Sequence, residues 1–348
     1  MVRRLGFVRS FVATCFFAGA TTTASAQFSQ VFFFGDSLTD SGNIALAIGS
    51  DPAQVITGNG YIPSKPYASG QFTNGDVWAK TFASALGLPM SGQPSLAGGG
   101  DYAFGGARVT TDGAGLPPSL LAQQGMFLQS VGNVAPSTAL YVIAGGGNDA
   151  RDALAAAAGS MNPFADIAAA ARAYAQATAS LVDQLQAAGA HQIVVWDVPD
   201  IGLTPAVMDA GGGASFLGTA VSRAMNRALA RQLDGETGVS IFDIFGLQND
   251  IVANPAGFGL INVTDACGAP SAQCDPATAL FWDGIHPTAA AHALIAQNML
   301  VAAVPEPSEL ALMLAGLVFV AAWQRRARRG AASRAAGADA AHAAADKH

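Results

Sequence analysis

Apolar and polar positions along this chain follow two periods. Four short runs, 31–34, 139–144, 193–197 and 240–244, are apolar almost throughout and bounded by Gly, Pro or Asp. Runs of that length predict strands covered on both faces, as in a parallel sheet. Between and after them come stretches with helical spacing, at 75–86, 163–188, 214–233 and 287–302. In the second of these, Ile167, Ala171, Tyr174, Thr178, Leu181 and Leu185 fall on one face, and Gly189 is placed to cap it. Pro287 suits the first turn of the last helix. Strands alternating with helices predict βαβ units, hence an α/β fold with a parallel sheet and helices on both faces. Two stretches rich in Gly, Pro, Asn and polar residues, 49–72 and 246–281, read as loops over the active face, the first a candidate lid.

The ends of the 348-residue chain carry a different pattern. Arg3, Arg4 and Arg9 precede an apolar stretch at 11–20, and Ala24-Ser25-Ala26 follows as a small-residue cleavage site. This predicts a secretory signal peptide over 1–26. At the other end Val304-Pro305-Glu306-Pro307-Ser308 leads into an uncharged run at 310–323 and then Arg325, Arg326, Arg328 and Arg329. A run of that length spans about 21 Å as a helix, short of the roughly 20 residues a stable span needs. It suits a transient membrane anchor with its arginines on the cytoplasmic side. The order Pro-Glu-Pro, apolar run, arginines resembles the PEP-CTERM sorting signal of Gram-negative bacteria. The resemblance implies processing by an exosortase and assigns 304–329 to the signal. The alanine-rich 330–348 extends beyond its usual end and reads as a disordered tail.

That leaves 27–303, enough for one large α/β domain. This body holds eight Lys and Arg against twenty Asp and Glu. Such an acidic balance argues against nucleic-acid partners and against tight binding to anionic lipid. Cys267 and Cys274 remain after the signal peptide, and export makes them a candidate disulfide, with two free thiols as the alternative. No His or Cys cluster accompanies them, so no metal is expected. The glycine clusters lack the Lys-Ser/Thr or GxGxxG context of a phosphate loop, so no nucleotide cofactor is expected either.

The chemistry concentrates at strand ends. Gly35-Asp36-Ser37-Leu38-Thr39-Asp40-Ser41-Gly42-Asn43 follows directly on the first strand, which places Ser37 in the first turn after it, where a helix can begin. A serine there is more often a cap than a nucleophile, so its partners decide. His342 and His348 lie in the tail, His191 at the opposite edge of the sheet and His292 inside a helix. His286 is left, three residues after Asp283 in Asp283-Gly284-Ile285-His286-Pro287-Thr288. Hydroxyl, imidazole and carboxylate together supply nucleophile, base and orienting group for acyl transfer. Oxyanion donors are offered by Asn148, at the end of the strand 139–144, and by the glycines of Asp101-Tyr102-Ala103-Phe104-Gly105-Gly106-Ala107, each of which is also read as an ordinary turn.

These blocks, in this order, are those of the GDSL esterase/lipase family, also called SGNH hydrolases, which the chain resembles from Val31 to about Leu300. Gly35–Asn43 is similar to its first block, 101–107 to the second (with Asp101 where relatives often have Asn), 145–149 to the third and 283–288 to the last. The resemblance implies a three-layer αβα, flavodoxin-like fold and a carboxylic ester hydrolase without cofactor. Ser37 would be the nucleophile, His286 the base and Asp283 its orienting carboxylate. The N–H groups of Ser37 and Gly106 and the Asn148 side chain would form the oxyanion hole. Asp36 and Asp149 read as structural hydrogen-bonders. The long inserts look more like the lipase and haemolysin-like branch, which favours lipids or medium acyl esters. Phe72, Trp78, Phe104, Phe281 and Trp282 are candidates to line an acyl pocket, Trp78 reading rather as core. Hydrolysis of carbohydrate O-acetyl groups on exopolysaccharide stays open as an alternative, as does a non-catalytic role at the surface or in the matrix.

Overall fold

A computed structural model describes residues 28–62, 64–112, 115, 117–303 and 316–326. The expected signal peptide, the Pro-Glu-Pro segment and the tail at 330–348 lie outside the described residues. Residues 316–326 are helical and exposed. No helix among the described residues is long and apolar enough to cross a membrane.

The chain runs β1 (Val31–Gly35), α1 (Asn43–Ile48), α2 (Trp78–Ala85), α3 (Leu120–Ser130), β2 (Leu140–Ala144), α4 (Gly147–Ala158), α5 (Pro163–Ala187), β3 (Gln192–Trp196), α6 (Pro205–Asp209), α7 (Gly212–Gln232), β4 (Val239–Phe242), α8 (Ile244–Ala253), β5 (Asn262–Ala266), β6 (Ala279–Phe281) and α9 (Ala289–Ala303). Strands β1 to β4 pair side by side, all parallel. Along the free edge of β1 the backbone of 100–104 adds a further parallel rung, with Phe33 N–H donating to Gly100, Tyr102 N–H to Phe33 and Phe104 N–H to Gly35. Counting that rung, the sheet order by chain position is 2-1-3-4-5. This is the flavodoxin-like order, whose direction reverses beside β1 and opens a crevice at the strands' C-terminal ends.

Successive strand residues point to opposite faces. Phe32, Phe34, Tyr141, Ile143, Ile193 and Val195 join one apolar cluster under α3, α4, α5 and α7. Val31, Phe33, Leu140, Val142, Val194 and Trp196 join a second under α2, α8 and α9. The expected three-layer α/β architecture is therefore the observed one. Trp78 is wholly buried, edge-on to Phe33 at 5.4 Å and 4.5 Å from the Trp196 ring, so it is core. Burying side chains of this size contributes about 1.5–3 kcal/mol each.

Several boundaries differ from expectation. The fourth strand stops at Phe242 because the Asp243 carboxylate caps α8, accepting from Gly246 N–H at 2.5 Å. The stretch 246–281 is not a plain loop. Ile244, Leu247, Gln248 and Ile251 lie on the buried face of α8, a helical spacing already present in the sequence, and β5 pairs with β6 further on. Helix α9 starts at Ala289 rather than at Pro287. Pro287 bridges to Phe281, and the Thr288 hydroxyl accepts from Ala291 N–H as the cap. Helices α3 and α4 complete the first face. Cys267 and Cys274 are joined in a disulfide.

Candidate active site

Ser37 sits beyond the C-terminal end of β1, in a tight turn closed by Thr39 and Asp40 N–H groups donating to the Asp36 carbonyl. No helix starts at Ser37; α1 begins only at Asn43 and is short. The turn is held by carboxylates. Asp40 Oδ1 accepts from Gly42 and Asn43 N–H, and its Oδ2 from Gly105 N–H at 2.9 Å. Asp101 accepts from Ser41 N–H at 2.8 Å, while the Asn43 amide donates to the carbonyls of Asp101 and Ala103. The first and second sequence blocks are thus laced into one unit. Burial pushes the Asp40 carboxyl up to about 6 against its backbone donors. Burial, with the Asp40 charge beside it, pushes Asp101 well above the ordinary range.

The last block reaches the same place from the opposite end of the chain. His286 Nε2 lies 2.9 Å from Ser37 Oγ, and its Nδ1 lies 2.6 Å from Asp283 Oδ2. Asp283 Oδ1 accepts the N–H groups of Ile285 and His286 at 2.8 and 2.7 Å, which shapes the three-residue turn between the two side chains. All three groups are buried, Asp283 completely. Burial works against the charge on Asp283. The adjacent imidazole outweighs it, helped by hydrogen bonds from His286, Tyr67 and Ile285, and holds the carboxyl below the ordinary range. An ionised carboxylate on Nδ1 keeps that nitrogen protonated and turns the lone pair of Nε2 toward the hydroxyl.

Asn148 enters from the first turn of α4, just past β2. Its Nδ2 donates to the Ala107 carbonyl at 3.0 Å, and its Oδ1 accepts from Arg151, so the amide is oriented and one N–H remains. Asp36, Ser37, Asn148, Arg151 and His286 share the wall of one pocket. Gly106 does not line it. It lies next to Gly105, the residue tied to Asp40, with φ +83°, and its N–H and that of Ser37 have no acceptor among the described residues. Gly105 is required by crowding, since a Cβ there would stand 2.1 Å from the Phe72 ring, which in turn lies 5.5 Å from the His286 ring. Asp36 and Asp149 do bond backbone, to Leu38 and Val109. Burial pushes both carboxyls up to about 6.

His292 stands apart. It is buried inside α9, its Nδ1 accepts from Trp78 N–H, and burial pushes it down to about 3, so it is a neutral core residue. Phe281 is near the site, Trp282 packs on Tyr67 at 6.0 Å, and Phe104 is buried without lining the pocket. No group of three or more His, Cys, Asp or Glu that would hold a metal occurs among the described residues.

Sequence reasoning missed three contributors. The Tyr67 phenol donates to Asp283 Oδ2 at 2.5 Å, from within the segment read as a lid. That segment is fastened here: Tyr67 is buried, and Gly284 N–H donates to the Gly60 carbonyl at 2.7 Å. Gln123 on α3 bonds both the N–H and the carbonyl of Gly35 at 2.9 Å, fixing the end of β1. Arg151 stacks on the Tyr61 ring at 4.3 Å and bonds the Tyr61 hydroxyl as well as Asn148. One aromatic among Gly, Pro and Ser gave no signal for Tyr67. Arg151, three residues past Asn148 on a helix, follows from the i, i+3 spacing.

Residues 31–299 match the family described as GDSL-like Lipase/Acylhydrolase. The chain belongs to that family. This GDSL-family chain is 29% identical to esterase EstA of Pseudomonas aeruginosa over 83% of its own length and 49% of EstA's. It thus spans about half the length of that relative. It is 27% identical to a GDSL esterase/lipase of Arabidopsis thaliana, over 81% of this chain and 88% of the plant protein. An extracellular lipase of Streptomyces rimosus, of solved structure, shares 22% identity at a TM-score of 0.40, over 78% of this chain and 98% of the lipase.

Proposed function

We propose that this protein is an exported serine esterase or lipase that hydrolyses carboxylic acyl esters. The observation that carries the reading is the contact of Ser37 Oγ with His286 Nε2 at 2.9 Å, continued from Nδ1 to a buried Asp283 at 2.6 Å. Ser37 Oγ forms a bond to the ester carbonyl carbon as its proton passes to His286 Nε2. Asp283 stabilises the imidazolium without taking the proton. The tetrahedral oxyanion is met by the free N–H of Asn148 and by the N–H groups of Ser37 and Gly106. The C–O bond to the alcohol then breaks, and His286 gives its proton to the departing alkoxide. Water repeats the sequence on the acyl-enzyme, releasing the acid and restoring Ser37. Membership of the GDSL family and the likeness to esterase EstA support this reading.

Export through a signal peptide at 1–26, a hydrolase domain over 27–303, and exosortase processing of a PEP-CTERM signal at 304–329 complete the proposal. They put the enzyme in the periplasm, at the cell surface or outside a Gram-negative cell. The test is direct. The purified protein should hydrolyse p-nitrophenyl butyrate and be labelled at Ser37 by a fluorophosphonate, and Ser37→Ala should lose both. Undiminished hydrolysis by Ser37→Ala would overturn the assignment.

A further inference from the structure

Beside the Ser37 pocket lies a second cavity of about 50 Å³. Leu38, Pro199, Thr204 and Ile285 belong to the walls of both. Leu38 and Ile285 are the chain neighbours of Ser37 and His286, so the shared wall is at the reacting centre. Beyond it the cavity is enclosed by Leu247 and Ile251 of α8, Leu280 of β6, and Ala291 and Ile295 of α9. No charged residue lines it. Its two polar side chains hold backbone, the Thr204 hydroxyl donating to the Ile201 carbonyl and the Gln248 amide N–H to the Asp200 carbonyl, while Gln248 Oε1 is buried with no partner among the described residues. Such walls offer methylene groups a dry surface and a sugar few partners.

We propose, resting on the esterase reading, that this cavity holds the acyl chain of the substrate and sets its length. The occupant is a short to medium straight aliphatic chain, entering between Leu38 and Ile285 with its carbonyl left at Ser37. A water molecule needs roughly 10–15 Å³ of such volume, so the cavity takes about four such units. That accommodates a butanoyl to hexanoyl chain and no long fatty chain without rearrangement. Each methylene buried gains about fourfold in kcat/KM, hence about 15-fold from acetate to butyrate.

The experiment is a p-nitrophenyl ester series from acetate to dodecanoate, run on the wild type, Ala291→Leu and Ile295→Ala, with Ser37→Ala as the blank. In the wild type kcat/KM should climb to butyrate or hexanoate and then fall. Ala291→Leu fills the cavity and should bring butyrate down to the level of acetate while acetate turnover persists. Ile295→Ala widens it and should move the optimum to a longer chain. Ser37-dependent hydrolysis that is fastest on acetate, or a chain-length profile that both variants leave in place, would overturn the inference and leave the esterase reading standing. Absence of Ser37-dependent hydrolysis on every ester would overturn both.

Discussion

Tyr67→Phe removes one hydroxyl and leaves the ring against Trp282 and Ile56. The lost contact is a 2.5 Å hydrogen bond to the buried carboxylate that orients His286. Hydrogen bonds to charged groups contribute about 1.5–3 kcal/mol. Asp283 keeps two backbone donors and the imidazole, so it is not orphaned and the variant should fold. Chemical denaturation at pH 7 should show a loss of about 1.5–3 kcal/mol, and kcat/KM should fall about tenfold, equivalent to about 1.4 kcal/mol. The pH dependence separates this from lost packing. The Asp283 carboxyl is depressed in the folded state, so the stability it confers is present above the unfolded carboxyl pKa of about 3.9. That stability is lost as pH falls through the lower folded value. The deficit of Tyr67→Phe should therefore be full at pH 7 and shrink below about pH 4. No loss of stability at pH 7, with kcat/KM unchanged, or a deficit that grows as pH falls, would refute the argument.

Asn148→Ala should cost about 100- to 1000-fold in kcat, as expected for one oxyanion donor, with KM for p-nitrophenyl butyrate little changed in steady-state kinetics. Gly105→Ala should displace Phe72 from beside His286, since the new Cβ meets its ring at 2.1 Å; thermal unfolding should report a lower Tm and the ester assay a loss of turnover. His292 is buried neutral, with its pKa pushed down to about 3, so folding resists its protonation and stability falls as pH drops below the unfolded value of about 6.5. Between pH 7 and 5 the stability of the wild type relative to His292→Leu should drop by about 2 kcal/mol in denaturant titrations, a change absent if His292 protonates freely.

The chain announces its strands because they are buried on both faces, and a fully apolar run such as Val31–Phe34 has few other readings. It announces Ser37, Asn148, Asp283 and His286 because each stands at the end of such a run or within one turn of its partner, where local geometry follows from spacing alone. Helix α8 was equally readable, with Ile244, Leu247 and Ile251 in register, but its Gly and Asn content resembled a loop. Burial, not propensity, settles such a segment. Three features needed the tertiary structure. Tyr67 reaches Asp283 across 216 residues of chain, and no local pattern encodes a contact whose loop must first close. Gly106 takes φ +83° and leaves its N–H without an acceptor among the described residues, an arrangement that two adjacent glycines permit and do not specify. The acyl cavity exists only where α8, β6 and α9 converge on Leu38 and Ile285. Sequence determines which residues are chemically able to act; the packing of distant elements decides which of them meet and how much space is left between them.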